Sequence, residues 1–213
     1  YVKKLFEVYF MDDSPLPDDM ESSLNDIIAE RIADYDLVMV TDFGHGMLQP
    51  STIALLAEKA KFLAVNAQSN SANLGYNLIT RYPRADYICI DTHEARLAVG
   101  DKFKEVADII SKDLSRRIDC GKITVTLGSD GCIALENGDE VCEVPAIAGS
   151  PIDTVGAGDA FFAITAPIVA SGAAMKDVGF IGNIAGGLKI GIVGHRRSIE
   201  KASLMKTAKA LLK

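Results

Sequence analysis

The chain has 213 residues, 48% hydrophobic and 24% charged, a globular balance with material for a sizeable core. Its net charge of −7 argues against nucleic acid or an anionic membrane as the main partner, although backbone N–H groups can still bind a local anion. The longest apolar run, Ala160 to Ala170, is too short to span a bilayer, and no signal peptide opens the chain.

Val2 to Phe10 is rich in Val, Phe and Tyr and reads as a strand, followed by a Pro- and Asp-bearing loop. Met20, Leu24, Ile27, Ile28, Ile32 and Tyr35 recur at helical spacing. Asp36 to Thr41 is a short apolar strand, and the turn Asp42-Phe43-Gly44-His45-Gly46 follows it. Ile53, Leu56, Ala57 and Ala60 mark a helix, and Phe62 to Val65 a buried strand. Tyr87 to Ile90 is a strand, Thr92 to Val99 a short helix, and Val106, Ile109, Ile110 and Leu114 mark a longer one. Ile123 to Leu127 is the next strand. Strands apolar on both faces and separated by helices predict a parallel sheet covered on both sides. Cys132 to Leu135 and Glu140 to Val144 flank Asn137-Gly138, a hairpin turn signal, so an antiparallel edge is expected. The remainder is mainly helical. The four cysteines, Cys89, Cys120, Cys132 and Cys142, form no C-x-x-C pair, and core thiols of a cytoplasmic protein are preferred to two disulfides.

The most informative segment is Asp153-Thr154-Val155-Gly156-Ala157-Gly158-Asp159-Ala160, ahead of the apolar run. It reads as a loop feeding a buried helix, whose first N–H groups lack intrahelical partners and carry partial positive charge. Small residues at Gly156, Ala157 and Gly158 let a phosphate approach the backbone, which makes an anion hole. Asp159 then stands beside that hole, placed to take a proton from a hydroxyl attacking a bound phosphoryl group. A plain helix N-cap is the competing reading of the shorter G-x-G-D pattern.

The eight-residue string resembles the C-terminal signature of PfkB/ribokinase-like carbohydrate kinases. That resemblance implies a ribokinase-like three-layer α/β sandwich, mostly parallel with an antiparallel hairpin at one edge. It also implies ATP and Mg²⁺ as cofactors and a sugar or sugar phosphate as substrate. It makes Asp159 the catalytic base and the backbone of Gly156, Ala157 and Gly158 the anion hole. Thr124 to Gly131 looks like the family's turn lining the nucleotide site, which points to Thr126, Gly128 and Gly131, with Thr154 and Asn183, as nucleotide-binding residues. A simple glycine turn and a polar residue in a packed helix are the competing readings at 124–131 and 183. Asp91-Thr92-His93-Glu94 resembles N-x-x-E, so Asp91 and Glu94 are expected to hold Mg²⁺ through water or phosphate; a helix-capping arrangement is the alternative. Asp42 to Gly46 is similar to D-Y-x-K-G of the heptose-phosphate kinase branch, and Val65 to Asn70 is nearer the asparagine-containing stretch of ribokinases, which assigns Asp42, His45 and Asn66 to the substrate; an ordinary loop histidine is the competing reading of His45.

Departures from the family pattern are His45 for Lys, Asp91 for Asn, Ile164 where a small residue is usual, and the Val65 to Asn70 stretch. Tyr1 is not an initiator Met, and the resemblance places the start about a third of the way into the family's length. The expected organisation is one incomplete PfkB-like kinase domain over 1–213. In it 1–15 is a remnant of the lid and substrate region and 36–213 is the nucleotide-binding and catalytic core. Lys4 to Phe10 resembles stretches upstream of this core in proteins that also carry a nucleotidylyltransferase domain, which implies a covalent N-terminal partner domain. An exposed apolar edge is expected to favour a homodimer. The alternative function is a non-catalytic nucleotide-binding or assembly module of a multidomain sugar-nucleotide enzyme; a vitamin-type kinase of the same superfamily is a third.

Overall fold

The computed structural model describes residues 5–6, 8–70, 73–138, 140–147, 151–194 and 196–213. A six-stranded sheet runs through them in chain order: β1 (Val38–Asp42), β2 (Leu63–Ala67), β3 (Tyr87–Asp91), β4 (Lys122–Thr126), β5 (Cys132–Glu136) and β6 (Glu140–Val144). The first four are parallel, and β5 and β6 add antiparallel at one side. Asn137 and Gly138 both take positive φ, 52° and 85°, as the tight turn before β6 requires.

Period-two alternation sends the two faces of each strand to different helical layers. Leu63, Val65, Ile88, Ile90, Ile123, Val125, Ile133 and Leu135 form one core. It is closed by Ile53 and Leu56 of α2 (Pro50–Lys59), Ala95 and Ala98 of α3 (Thr92–Val99), and the next helical stretch. That stretch runs from α4 (Val106–Asp108) through a π-helical turn (Ile109–Leu114) into α5 (Ser115–Arg117). On the opposite face Ala64, Tyr87, Cys89, Cys132 and Ala134 meet Phe161, Phe162, Ala166 and Val169 of α6 (Ala157–Ala170). Met175 and Val178 of α7 (Met175–Lys189) complete that core, and α8 (Lys201–Leu211) packs on α7 through Leu204 and Ala208. Helix, sheet, helix: the expected three-layer sandwich is present.

Helix α7 lies close against α6. A Cβ built on Gly182 would stand 2.4 Å from the Phe161 ring, so only glycine permits this approach. Tyr87 OH and Thr165 Oγ1 share a buried hydrogen bond of 3.0 Å, which fixes α6 lengthwise on β3. The described cysteines form no disulfide. Burial raises the thiols of Cys89, Cys120 and Cys132, the last two to about 12, so these three behave as packing groups and not nucleophiles.

Of the strand expected over Val2 to Phe10, Val2, Lys3, Lys4 and Glu7 lie outside the described residues. The described residues between Leu5 and Phe10 adopt no strand, and their apolar side chains are exposed, Phe10 at 98%. A strand is held by a hydrogen-bonded neighbour, and β1 is the outer strand on this side of the sheet among the described residues. Local β-propensity does not substitute for that neighbour. Helix α1 (Asp18–Arg31) has the expected helical limits within a few residues, but none of its residues is buried and Met20 and Ile27 are exposed. It is tied to α2 by polar contacts, Asn25 to Ser51 at 2.9 Å and Thr52 to Asn25 at 2.7 Å.

Candidate active site

The parallel register brings Asp42 beside Ala67 and Asp91 beside Thr126. All four strand exits therefore open on one rim, the place where open α/β sheets bind ligands. The sharp turn at Gly156 (φ 77°) delivers the first turn of α6 to that same rim. Ala157 and Gly158 of that turn line a concavity of about 400 Å³, within the roughly 300–1,000 Å³ typical of small-molecule sites.

Thr126, Gly128, Gly131, Thr154 and Asn183, all assigned to nucleotide from the sequence, line this cavity together with Ala157 and Gly158. Gly131 is required by its backbone: φ is 102°, and a Cβ would meet Val144 O at 2.1 Å. Asn183 donates to Val144 O at 2.9 Å and Pro145 O at 3.0 Å, so it anchors the exit of β6 while forming part of the wall. The Ala157 N–H is turned back to Thr154 O at 3.3 Å, which closes the loop on itself before the helix begins. Small residues with Ile147, Ile190 and Phe161 shape an apolar floor wide enough for a flat ring. A phosphate chain directed at the Gly158 end meets the helix N-terminus. The chemistry of this donor set therefore fits a nucleoside polyphosphate.

Asp159 sits outside the cavity mouth, exposed, and accepts from Gln68 Nε2 at 2.6 Å. Gln68 also donates to Asn66 Oδ1 at 2.9 Å, and Asn66 Nδ2 donates to Cys89 O at 2.7 Å. Asn66 thus supports Gln68, which in turn orients the Asp159 carboxylate. Asp91 and Glu94 form a capping box: Asp91 Oδ1 accepts Glu94 N–H at 2.7 Å, and Glu94 Oε2 accepts Asp91 N–H at 2.9 Å. The other Glu94 oxygen accepts Ser69 N–H at 3.0 Å. Burial, then the neighbouring Asp91 and Asp159 charges, raise the Glu94 carboxyl to about 7 against the pull of its two backbone N–H groups. The described residues contain no group of three or more His, Cys, Asp or Glu able to hold a metal ion by themselves. Asp91, Glu94 and Asp159 gather carboxyl groups close to the N-terminus of α6. That fits a cation such as Mg²⁺, held mainly by water and phosphate.

The remaining substrate assignments are placed differently. Asp42 is 4% exposed, and its carboxylate accepts from Gly44 N–H at 2.9 Å, Tyr82 OH at 2.9 Å and Arg81 Nη1 at 3.3 Å. It organises the turn from within. Gly44 is needed there, because a Cβ would stand 2.6 Å from Asn77. His45 stacks on Phe43 with parallel rings 6.5 Å apart, and its Nδ1 is buried with no hydrogen-bond partner among the described residues. Asn73 Nδ2 donates to Phe43 O and Asn77 Nδ2 to Asp42 O at 2.8 Å, which join the 42–46 and 68–77 loops.

Sequence reading had missed Gln68, Asn73, Asn77, Arg81 and Tyr82. The one available signal was the recurrence of asparagine at 66, 70, 73 and 77 directly after a fully buried strand.

"Bifunctional protein HldE" of Acidiphilium cryptum is 29% identical over 182 residues, covering 84% of this chain and 37% of that protein. The namesake from Nitratiruptor sp. is 27% identical, covering 80% of this chain and 38% of its own length. The chain thus spans a little over a third of the curated relatives it matches. Among solved structures, phosphofructokinase-2 from Escherichia coli in complex with potassium superposes with a TM-score of 0.76 at 15% identity, over 93% of this chain and 64% of that one. Arabidopsis thaliana ribokinase complexed with ribose and ATP gives 0.68 at 17%, over 92% and 60%. Both share the fold. The family model described as pfkB family carbohydrate kinase matches residues 10–202, and the chain belongs to that family.

Proposed function

We propose that the protein containing this chain transfers a phosphoryl group from ATP to a hydroxyl of a sugar or sugar phosphate, with Asp159 as general base. One observation carries the reading. The first turn of α6 stands between the 400 Å³ cavity on one side and the Asn66, Gln68 and Asp159 relay on the other. A donor phosphate chain and an acceptor hydroxyl would meet at that turn.

The cavity walls hold the base and ribose between Ile147, Ile190 and the glycine-rich turns, and the α6 amides receive the terminal phosphates. Asp91, Glu94 and Asp159 would hold Mg²⁺ through water, and the ion would supply neutralisation of the phosphate charge. Gln68 points the Asp159 carboxylate at the acceptor. Asp159 takes the hydroxyl proton as the oxygen bonds to phosphorus and the bond to the ADP oxygen breaks. His45, with its unpartnered ring nitrogen, lies on the loop that would face the acceptor and supplies a contact for a polar sugar substituent.

The relatives named bifunctional are much longer than this chain, which supports a covalently attached partner domain. A cytoplasmic location goes with the free thiols of the described cysteines; among the described residues no helix is long and apolar enough to cross a membrane. The open side of β1, where Met39 is exposed, is where a second copy would add in a homodimer.

The test is Asp159→Asn in the full-length protein. Turnover is expected to fall about 10²–10⁴-fold with nucleotide affinity retained. Undiminished phosphorylation would overturn the assignment of the base. Nucleotide binding without transfer to any sugar in the unmodified protein would favour an assembly module instead.

A further inference from the structure

Lys189 closes α7 and is 6% exposed. Burying an ammonium is costly unless hydrogen bonds and opposite charge replace its water. Its Nζ donates to Val155 O at 2.7 Å and to Gly194 O at 3.0 Å. Asp153, 5% exposed, accepts from the N–H groups of the same two residues, Val155 at 3.0 Å and Gly194 at 2.7 Å. One ammonium and one carboxylate therefore hold both polar backbone groups of Val155 and both of Gly194. Ile190 O adds two more bonds to the same loop, from Ile152 N at 2.8 Å and Asp153 N at 3.0 Å. The loop so fixed leads directly into Gly156 and the first turn of α6.

We infer that Lys189 is a tethered internal cation that sets the shape of the phosphate-binding loop, and so a positioning residue for the transfer reaction; this rests on the kinase reading above. Carbonyl oxygens converging beside a carboxylate form a pocket for a cation of ammonium size. Here the protein supplies that cation on a side chain, in place of one drawn from solution. Two consequences follow. The unmodified protein needs no particular monovalent cation. Truncation of Lys189 leaves an oxygen-lined hole that a free cation can refill.

The experiment uses the full-length protein with Lys189→Ala and Lys189→Met. Melting temperature, affinity for a non-hydrolysable ATP analogue, and turnover are measured in ammonium, potassium and tetramethylammonium chloride at equal ionic strength. Lys189→Ala is expected to lose turnover on the order of 10²-fold, the cost of a small displacement near the reacting centre. Ammonium or potassium should restore its melting temperature and affinity, and tetramethylammonium, too large for the hole, should not. Lys189→Met keeps the apolar stem and fills the hole, so it should fold, lose affinity and show no rescue. The proposal is overturned if the unmodified protein depends on potassium or ammonium, if Lys189→Met binds and turns over normally, or if no small cation improves Lys189→Ala. An unmodified protein that binds no nucleotide would sink the kinase reading alone, because the salt dependence of the Lys189→Ala melting temperature still reports on the clamp.

Discussion

Glu94 makes the stability of this protein depend on pH in a direction opposite to that of a typical salt-bridged acid. Its carboxyl is raised from an ordinary 4.5 to about 7, first by burial, then by Asp91 and Asp159. Between those values the folded chain holds a proton that the unfolded chain has released. Stability from this group is therefore present in full below about pH 4.5, falls as pH rises to about 7, and is flat beyond. A shift of that size corresponds to at most about 3 kcal/mol across the window. Glu94→Gln removes the titration. It also exchanges one acceptor for a donor, opposite either Ser69 N–H or Asp91 N–H, at a cost of about 1–3 kcal/mol. The variant should start below the unmodified chain at pH 5 and draw level with it near neutrality. Urea unfolding followed by circular dichroism from pH 5 to 8 measures both curves. Parallel curves would show that the Glu94 carboxyl is not the source of the slope, and a rise of the unmodified curve relative to the variant would reverse its sign.

Gly182→Val should destabilise by about 1–3 kcal/mol, read as a lower melting temperature, because a Cβ 2.4 Å from the buried Phe161 ring forces α6 and α7 apart. A neutral effect would mean that the helix contact is looser than drawn. Tyr82→Phe deletes the 2.9 Å bond to the buried Asp42 carboxylate and should cost about 1.5–3 kcal/mol in denaturant unfolding. The loss should grow in combination with Arg81→Met, since both side chains serve one carboxylate oxygen. Strict additivity of the pair would argue against a shared network.

Elements whose signal is local were readable. The helix over Thr92–Val99 was bounded by an acidic cap and by Gly100, whose φ of 71° ends it, and the hairpin was announced by Asn137-Gly138. The start of α6 was legible because glycines directly before an apolar run mark a loop feeding a helix. What escaped depends on partners far away in the chain. Gln68 meets Asp159 across 91 positions, and Arg81 meets Asp42 across 39. No periodicity encodes such pairs. Lys189 was unreadable for a related reason: a lysine late in a helix usually serves the dipole at the surface, and only the return of Gly194 buries it. The described residues Leu5, Phe6 and Val8 to Phe10 show the opposite failure, β-propensity without a strand.

The chain-order sheet has a consequence for how the protein assembles. Every strand lies next to the one before it in sequence. Each ladder therefore closes a loop of modest length, and pairing can proceed vectorially during synthesis, without waiting for a distant segment. Helix α6 is the exception. It docks on strands translated long before it and brings Asp159 to Gln68 only then. A truncated or stalled chain could complete its sheet and still lack the contact between Gln68 and Asp159. Assembly of the proposed site is in this way tied to synthesis through α6.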